Sequence, residues 1–272
     1  MKNVAHRVRA QLAALALTLA ALPGLAWAEG ADAVLTGLHK LRIENYLALN
    51  AFYNYVTSGD RMSVDDINTA LQTSSSQLND IRSNAGTLLN EDTQKNLSST
   101  YETFSKLMKT NISDVTKQGY PELQLVSEMA NAARDLVKMS EDIHDAVESG
   151  NTSAKKSETL SATRDASLTL AMMLANYSAR SNLAASQTVQ GSDSEEPLDV
   201  LAARFEKALA TLEQAGLTGE QAKHLKEVQS KWAFIRGSYI NFNENNVVFV
   251  INRYSLLIIE HLEALLDELT AA

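Results

Sequence analysis

The apolar residues of this chain recur at intervals of three and four, and this spacing is clearest between residues 198 and 269. Side chains three and four positions apart share one face of an α-helix. The first such stripe comprises Leu201, Phe205, Leu209 and Leu212. Two more follow at Leu225, Val228, Trp232 and Ile235, and at Leu256, Ile259, Leu262 and Leu265. The spacing predicts three successive amphipathic helices.

Short polar or glycine-containing breaks separate these predicted helices. Residues 215–217 end the first helix, and Thr218 followed by Gln221 has the spacing of a capping box that would start the second. An Asn-rich segment, residues 241–246, precedes the third. The whole chain has three prolines, and those beyond residue 28 fall at predicted helix starts. We therefore expect an all-α fold, an up-down helical bundle with long helices.

The same apolar pattern recurs 128 residues earlier in the chain. Leu217, Leu225, Trp232, Ile235, Ile240 and Leu265 fall on Leu89, Leu97, Phe104, Leu107, Ile112 and Val137. We interpret this as a tandem duplication, with a degenerate helical module over residues 29–150 and a second module over 151–272. The alternative is chance agreement between amphipathic helices, since Leu262 falls on Arg134. The expected core residues of the two modules are Phe104, Phe205, Leu225 and Trp232.

The first 28 residues have the pattern of a secretory signal peptide. Three basic residues precede an apolar run over residues 12–22, and Ala26-Trp27-Ala28 supplies small residues at a cleavage site. This predicts export to the periplasm and a mature chain that begins at Glu29. The alternative, an uncleaved membrane anchor, is disfavoured because the run is short for a membrane span.

The charge and composition of the predicted mature chain exclude several function classes. Without residues 1–28 it has 21 basic against 33 acidic residues, a net charge of −12 that repels phosphate backbones. We therefore expect no nucleic-acid partner. The chain has no cysteine, which excludes disulfides, thiol nucleophiles and attached c-type haem. Its most apolar later stretch, residues 247–259, contains Asn252 and Arg253, so we expect no transmembrane span in the mature chain.

No motif in the sequence predicts catalysis, a metal or a cofactor. The mature chain has four histidines, His39, His144, His224 and His261. None has metal-ligand spacing, although His224 and His261 could meet across helices. Methionines such as Met129 and Met172 are interpreted as core filler rather than haem or copper ligands. With no phosphate loop or nucleophile elbow, we expect a non-enzymatic protein without a cofactor.

A polar pair lies on an otherwise apolar stripe of the predicted helix over residues 152–187. Met173, Asn176, Arg180 and Leu183 advance by three, four and three. A buried arginine needs an anion, either a neighbouring carboxylate or a small oxyanion ligand held by its guanidinium group. Asn176 and Arg180 are therefore the candidate ligand-binding residues. The alternative is that Arg180 reaches the end of the bundle or pairs with a glutamate.

This pair belongs to a pattern that resembles a known family of sensors. The long helix carries Asn176-x-x-Ala179-Arg180-x-Asn182, a shorter helix with Phe205 follows, and a third has Trp232 at its centre. The arrangement resembles the periplasmic sensing domain of type IV pilus methyl-accepting chemotaxis transducers, whose relatives occur in nitrate-sensing kinases. In that family the long helix carries Asn-x-x-Gly-Arg-x-Arg.

The resemblance covers residues 166–269, and a degenerate copy would cover 34–149. It implies a tandem of sensing modules and anion recognition near Arg180. Ala179 and Asn182 depart from the glycine and second arginine of the family pattern. The chain contains no recognisable signalling domain, so it resembles the outer half of a sensor alone.

These observations lead to one functional expectation and one rival. The first is an exported, soluble helical bundle that binds a small anion as a sensory accessory module and works through a membrane or envelope partner. The rival is a structural adaptor of the cell envelope that presents an acidic helical face and has no small-molecule ligand. Association as a homodimer is compatible with both, because bundles often pair through apolar seams.

Overall fold

The computed structural model describes residues 2–150, 157–182, 196–242 and 247–271, with side chains from residue 30 onward. These residues form eight α-helices and no strand, so the all-α expectation is confirmed. The helices are α1 (Lys2–Ser58), α2 (Arg61–Ala85), α3 (Glu91–Gln118), α4 (Leu123–Gly150), α5 (Glu158–Ser181), α6 (Leu198–Gln214), α7 (Gly219–Ile240) and α8 (Val248–Ala271). Within the described ranges, no helix has a stretch both long and apolar enough to cross a membrane.

Several predictions concern residues that the structure does not describe. Side chains of residues 1–28 are not described, so the signal peptide stays a prediction. Leu183 and residues 243–246 of the Asn-rich segment also lie outside the described residues.

Helix α1 begins at Lys2 and so includes the residues that have the signal-peptide pattern. Alanine and leucine dominate those residues and have high helix propensities, which accounts for the continuous helix. Asp60 caps α2 by accepting a hydrogen bond from the Met62 backbone N–H at 3.0 Å.

The start of α5 differs from the prediction, and so does the capping interaction of α7. We expected α5 to begin near Thr152, but Ser157 is its N-cap and accepts from the Leu160 backbone N–H at 3.3 Å. Thr218 is the N-cap of α7, as predicted, but its side chain makes no capping hydrogen bond. The capping box with Gln221 was therefore wrong. Gly216 in the preceding turn and Gly219 at the first position of α7 both have positive φ.

The buried apolar residues form two cores. One lies among α1, α2, α3 and α4, and the other among α5, α6, α7 and α8. Of the expected core residues, Phe104 is buried in the first core, and Phe205, Leu225 and Trp232 are buried in the second. The division into duplicated modules at residue 150 stays a prediction.

Helices α1 and α5 pack side by side and join the two cores. Ile43 of α1 reaches the second core, and Ala179 of α5 reaches the first. The Ser178 hydroxyl donates to Asn50 Oδ1 at 2.7 Å, and Arg164 Nη2 donates to the Thr36 hydroxyl at 3.3 Å. Both pairs are separated by 128 residues, so the helices run parallel in one register. That separation equals the offset of the sequence repeat.

Candidate functional site

A cavity of about 580 Å³ lies between α4 and α5, each of which packs against α1. Its volume is within the range typical of small-molecule sites. Residues of α1, α4 and α5 form most of its lining, and α6 contributes Arg204. The charged and imidazole side chains among them are Asp32, His39, Arg42, Glu141, His144, Asp145, Glu148, Arg164, Asp165 and Arg204. We call this space the α1–α4–α5 cavity.

Two arginines form the basic side of the cavity. Arg42 on α1 is only 7% exposed, and within the described residues it makes neither an ion pair nor a hydrogen bond. Arg164 on α5 donates to Thr36, but its Nε has no described partner. Burial lowers the pKa of both guanidinium groups, and their mutual repulsion lowers that of Arg42 further. Both guanidinium groups remain charged at neutral pH because the unperturbed pKa of arginine is so high.

Two histidines beside these arginines also carry buried nitrogens without a described partner. His39 is fully buried, and its Nε2 lies 3.0 Å from Glu263 Oε1. His144 Nδ1 lies 3.5 Å from Asp145 Oδ1. Burial lowers the pKa of both imidazoles, so each is neutral at neutral pH. If the nitrogen facing the carboxylate carries the proton, His39 Nδ1 and His144 Nε2 are acceptors.

Three carboxylates on α4 form the acidic side of the cavity. Glu141, Asp145 and Glu148 follow at intervals of four and three, which places them on one stripe. Glu141 and Asp145 are exposed, whereas Glu148 is half-buried. Their charges act on the arginines, Glu141 and Asp145 on Arg42, and Glu148 on Arg164. The cavity thus has two arginines on α1 and α5, of which Arg42 is buried and Arg164 half-buried, and three carboxylates on α4.

The acidic stripe also contains a group with metal-ligand geometry. His144, Asp145 and Glu148 each offer one ligand atom, and these atoms lie within 4.8 Å of one another. A cation there would meet the charges of Arg42 and Arg164, which already lower the pKa of His144. The cavity is therefore better suited to a ligand that satisfies the arginines than to a metal ion alone.

The structure does not bring the two predicted site residues together around this cavity. Asn176 is half-buried and lines a smaller cavity of about 180 Å³, together with Tyr46 and Arg134. Arg180 is half-buried in the last turn of α5 and has no ion pair with a described residue. Neither residue lines the α1–α4–α5 cavity.

Asn182, which stands where the family pattern has its second arginine, has a structural role. The Asn182 amide donates to the Tyr53 carbonyl at 3.3 Å and to the Thr57 hydroxyl at 3.0 Å, which ties the end of α5 to α1. An arginine at this position would lose these short contacts. The region around Arg180 therefore holds two helices together.

The two remaining histidines do meet across helices. His224 Nδ1 on α7 lies 3.1 Å from His261 Nδ1 on α8, and Lys231 Nζ lies 3.3 Å from His261 Nε2. Burial and the Lys231 charge lower the pKa of His261. This cluster lies on the second core, away from the α1–α4–α5 cavity.

Comparisons with protein-family models, with curated proteins and with solved structures found no match. The resemblance to pilus transducer sensing domains therefore rests on the residues quoted above, and function must be argued from the site itself.

Sequence reasoning missed the residues that the structure brings to the cavity, although part of a signal was present. His39 and Arg42 lie three positions apart and interrupt the buried stripe that includes Leu35, Leu38 and Leu49. Polar residues on an apolar stripe are the pattern that singled out Asn176 and Arg180. Arg164 and His144 gave no such signal, because their role depends on how α4 and α5 pack on α1.

Proposed function

We propose that the protein binds a small carboxylate in the α1–α4–α5 cavity and acts as a ligand-binding accessory module. The observation that carries this proposal is Arg42, a buried cation with no ion pair or hydrogen bond in the described part of the chain. A buried charge without a partner is costly, and a second arginine nearby increases that cost. A carboxylate between Arg42 and Arg164 would relieve it through charge-assisted hydrogen bonds.

The location of the protein is part of the same proposal. We infer from the pattern of residues 1–28 that the chain is exported to the periplasm, where a bound state would reach the cell through a membrane partner. Its role is non-enzymatic, because the described groups around the cavity suit binding and charge compensation. If the cavity binds no ligand, the adaptor role takes its place.

Export is tested by the mass of the mature protein. Cleavage after Ala28 is expected to give a periplasmic protein that begins at Glu29, because the small residues at 26 and 28 suit signal peptidase. Intact-mass measurement of the protein from a periplasmic fraction checks this. A chain that retains Met1, or that sediments with the inner membrane, would contradict the export proposal.

Carboxylate binding is tested by thermal-shift screening of small mono- and dicarboxylates. At about 100 times its dissociation constant, a ligand adds about 2.7 kcal/mol to stability. Arg42→Gln is expected to weaken binding roughly 10- to 150-fold, because a charge-assisted hydrogen bond contributes about 1.5 to 3 kcal/mol. Without ligand, Arg42→Gln should not lower the melting midpoint, since Arg42 has no described partner to strand.

Arg180→Gln is the matched control for this experiment. It removes the same charge from α5 at a half-buried site that does not line the cavity, so binding should persist. Loss of binding in Arg180→Gln but not in Arg42→Gln would move the ligand to the site predicted from the sequence. If no carboxylate stabilises the wild type, the binding proposal fails and the adaptor role is favoured.

A further inference from the structure

Arginines and carboxylates lie on different helices around much of the α1–α4–α5 cavity. Arg42 and Arg164 lie on α1 and α5, whereas Glu141 and Asp145 lie on α4. Of the carboxylates on the other helices, Asp165 of α5 lies 3.6 Å from Arg204, and the charge of Asp32 of α1 acts on Arg164. No ion pair joins the two sides in the described residues, although each side's charges act on the other. A ligand with negative charge alone would satisfy the arginines but would be repelled by the carboxylates. A ligand with both charges complements both sides.

The helix ends at the cavity carry partial charges that follow the same arrangement as the charged side chains. Ser157 and Ser161 place the first turn of α5 at the cavity, and Ser149 places the last turn of α4 there. A helix N-terminus carries partial positive charge, and a C-terminus carries partial negative charge. The α5 end therefore favours a carboxylate and the α4 end favours an ammonium group, in agreement with the side chains.

The unpartnered buried nitrogens match such a ligand in number and kind. Arg42 Nε and Arg164 Nε are donors, and His39 Nδ1 and His144 Nε2 are acceptors in the tautomers given above. Arg42 is 7% exposed and His39 is fully buried. A carboxylate supplies acceptors for the guanidinium groups, and an ammonium group supplies donors for imidazole and carboxylate.

We propose that the ligand is an α-amino acid, bound as a zwitterion with its carboxylate at Arg42 and Arg164 and its ammonium group at Glu141 and Asp145. This inference rests on the proposed carboxylate-binding function and names the class of that ligand. The cavity of about 580 Å³ leaves room for a side chain beyond the two charged groups. Leu35 and Leu168 line part of that space, so an apolar side chain fits there.

Titration calorimetry with matched pairs of compounds tests the inference. Each pair is an L-amino acid and the carboxylate that lacks its amino group: alanine and propionate, leucine and 4-methylpentanoate, phenylalanine and 3-phenylpropionate, aspartate and succinate, glutamate and glutarate. We expect the tightest-binding amino acid to have an affinity ~10-fold or more above that of its partner carboxylate, because the ammonium group gains charge-assisted contacts. In the double variant Glu141→Gln/Asp145→Asn, the ratio of the two affinities should fall towards one while the carboxylate still binds.

Asp142→Asn is the matched control, because Asp142 is an exposed α4 carboxylate that does not line the cavity. It removes a negative charge from the same helix and should leave the ratio unchanged. If a carboxylate binds as tightly as its amino acid, the zwitterion inference is overturned while carboxylate binding stands. If no member of any pair binds, both fail. A ratio that survives in Glu141→Gln/Asp145→Asn would overturn the assignment of the ammonium site.

Discussion

Replacing Trp232 by alanine is expected to lower the free energy of unfolding by about 3 to 5 kcal/mol, the range for large aromatic truncations in cores. Trp232 is 5% exposed, and its ring centroid lies 4.6 Å from that of Phe205 and 5.8 Å from that of Tyr239. Its indole N–H donates to Glu206 at 3.1 Å. The substitution removes these contacts and leaves a cavity in the second core. Urea denaturation measures the loss.

Phe234→Ala is the control for this prediction. Phe234 lies two residues further along the same helix, but it is 64% exposed. Its loss should change the free energy of unfolding by less than about 1 kcal/mol, as is usual for surface sites. Equal losses in the two variants would contradict the burial of Trp232.

The second large effect is a gain of stability at neutral pH in Glu44→Gln. Burial of Glu44, together with the nearby charge of Glu263, raises the pKa of its carboxyl group from 4.5 to about 7, while the charge of Lys40 opposes this. As the pH rises from 4.5 to 7, the unfolded chain loses this proton and the folded protein keeps it. The free energy of unfolding of the wild type therefore falls over that window.

Glutamine at this position removes the cost of ionising a buried carboxyl. At pH 8 we expect Glu44→Gln to be more stable than the wild type by about 2 to 3 kcal/mol, and the difference should vanish below pH 4.5. Denaturation at several pH values checks both statements. Glu102→Gln, at an exposed site on α3, should show no such trend. A Glu44→Gln variant that is less stable than the wild type at pH 8 would show that the charge of Glu44 is stabilising.

The all-α fold was predictable because helix formation leaves a local mark in the sequence. The three- and four-residue spacing around Phe205 and Trp232 places both on buried faces, and the structure buries both. Gly119, in the left-handed conformation, ends α3, as a glycine after a helix commonly does. The start of α5 was less predictable, because Thr152 and Ser157 are both good capping residues and local sequence does not decide between them.

The candidate site was not predictable in the same way. The stripe with Asn176 and Arg180 follows the rule that polar residues on apolar faces suggest a site, but their surroundings depend on neighbouring helices. In the structure, Arg180 lies half-buried at a helix end, and Arg42 lies buried beside a cavity. The cavity joins residues of α1 to residues of α4 and α5 that lie about 100 or more positions later. Periodicity within one helix cannot reveal such a meeting.

A crystal structure of the protein grown with its tightest-binding carboxylate or amino acid would locate the binding site. We expect ligand density in the α1–α4–α5 cavity, with the carboxylate in contact with Arg42 and Arg164. Density beside Asn176 and Arg180 would contradict the proposed site. So would an empty cavity in a crystal grown at a concentration that saturates the protein in solution.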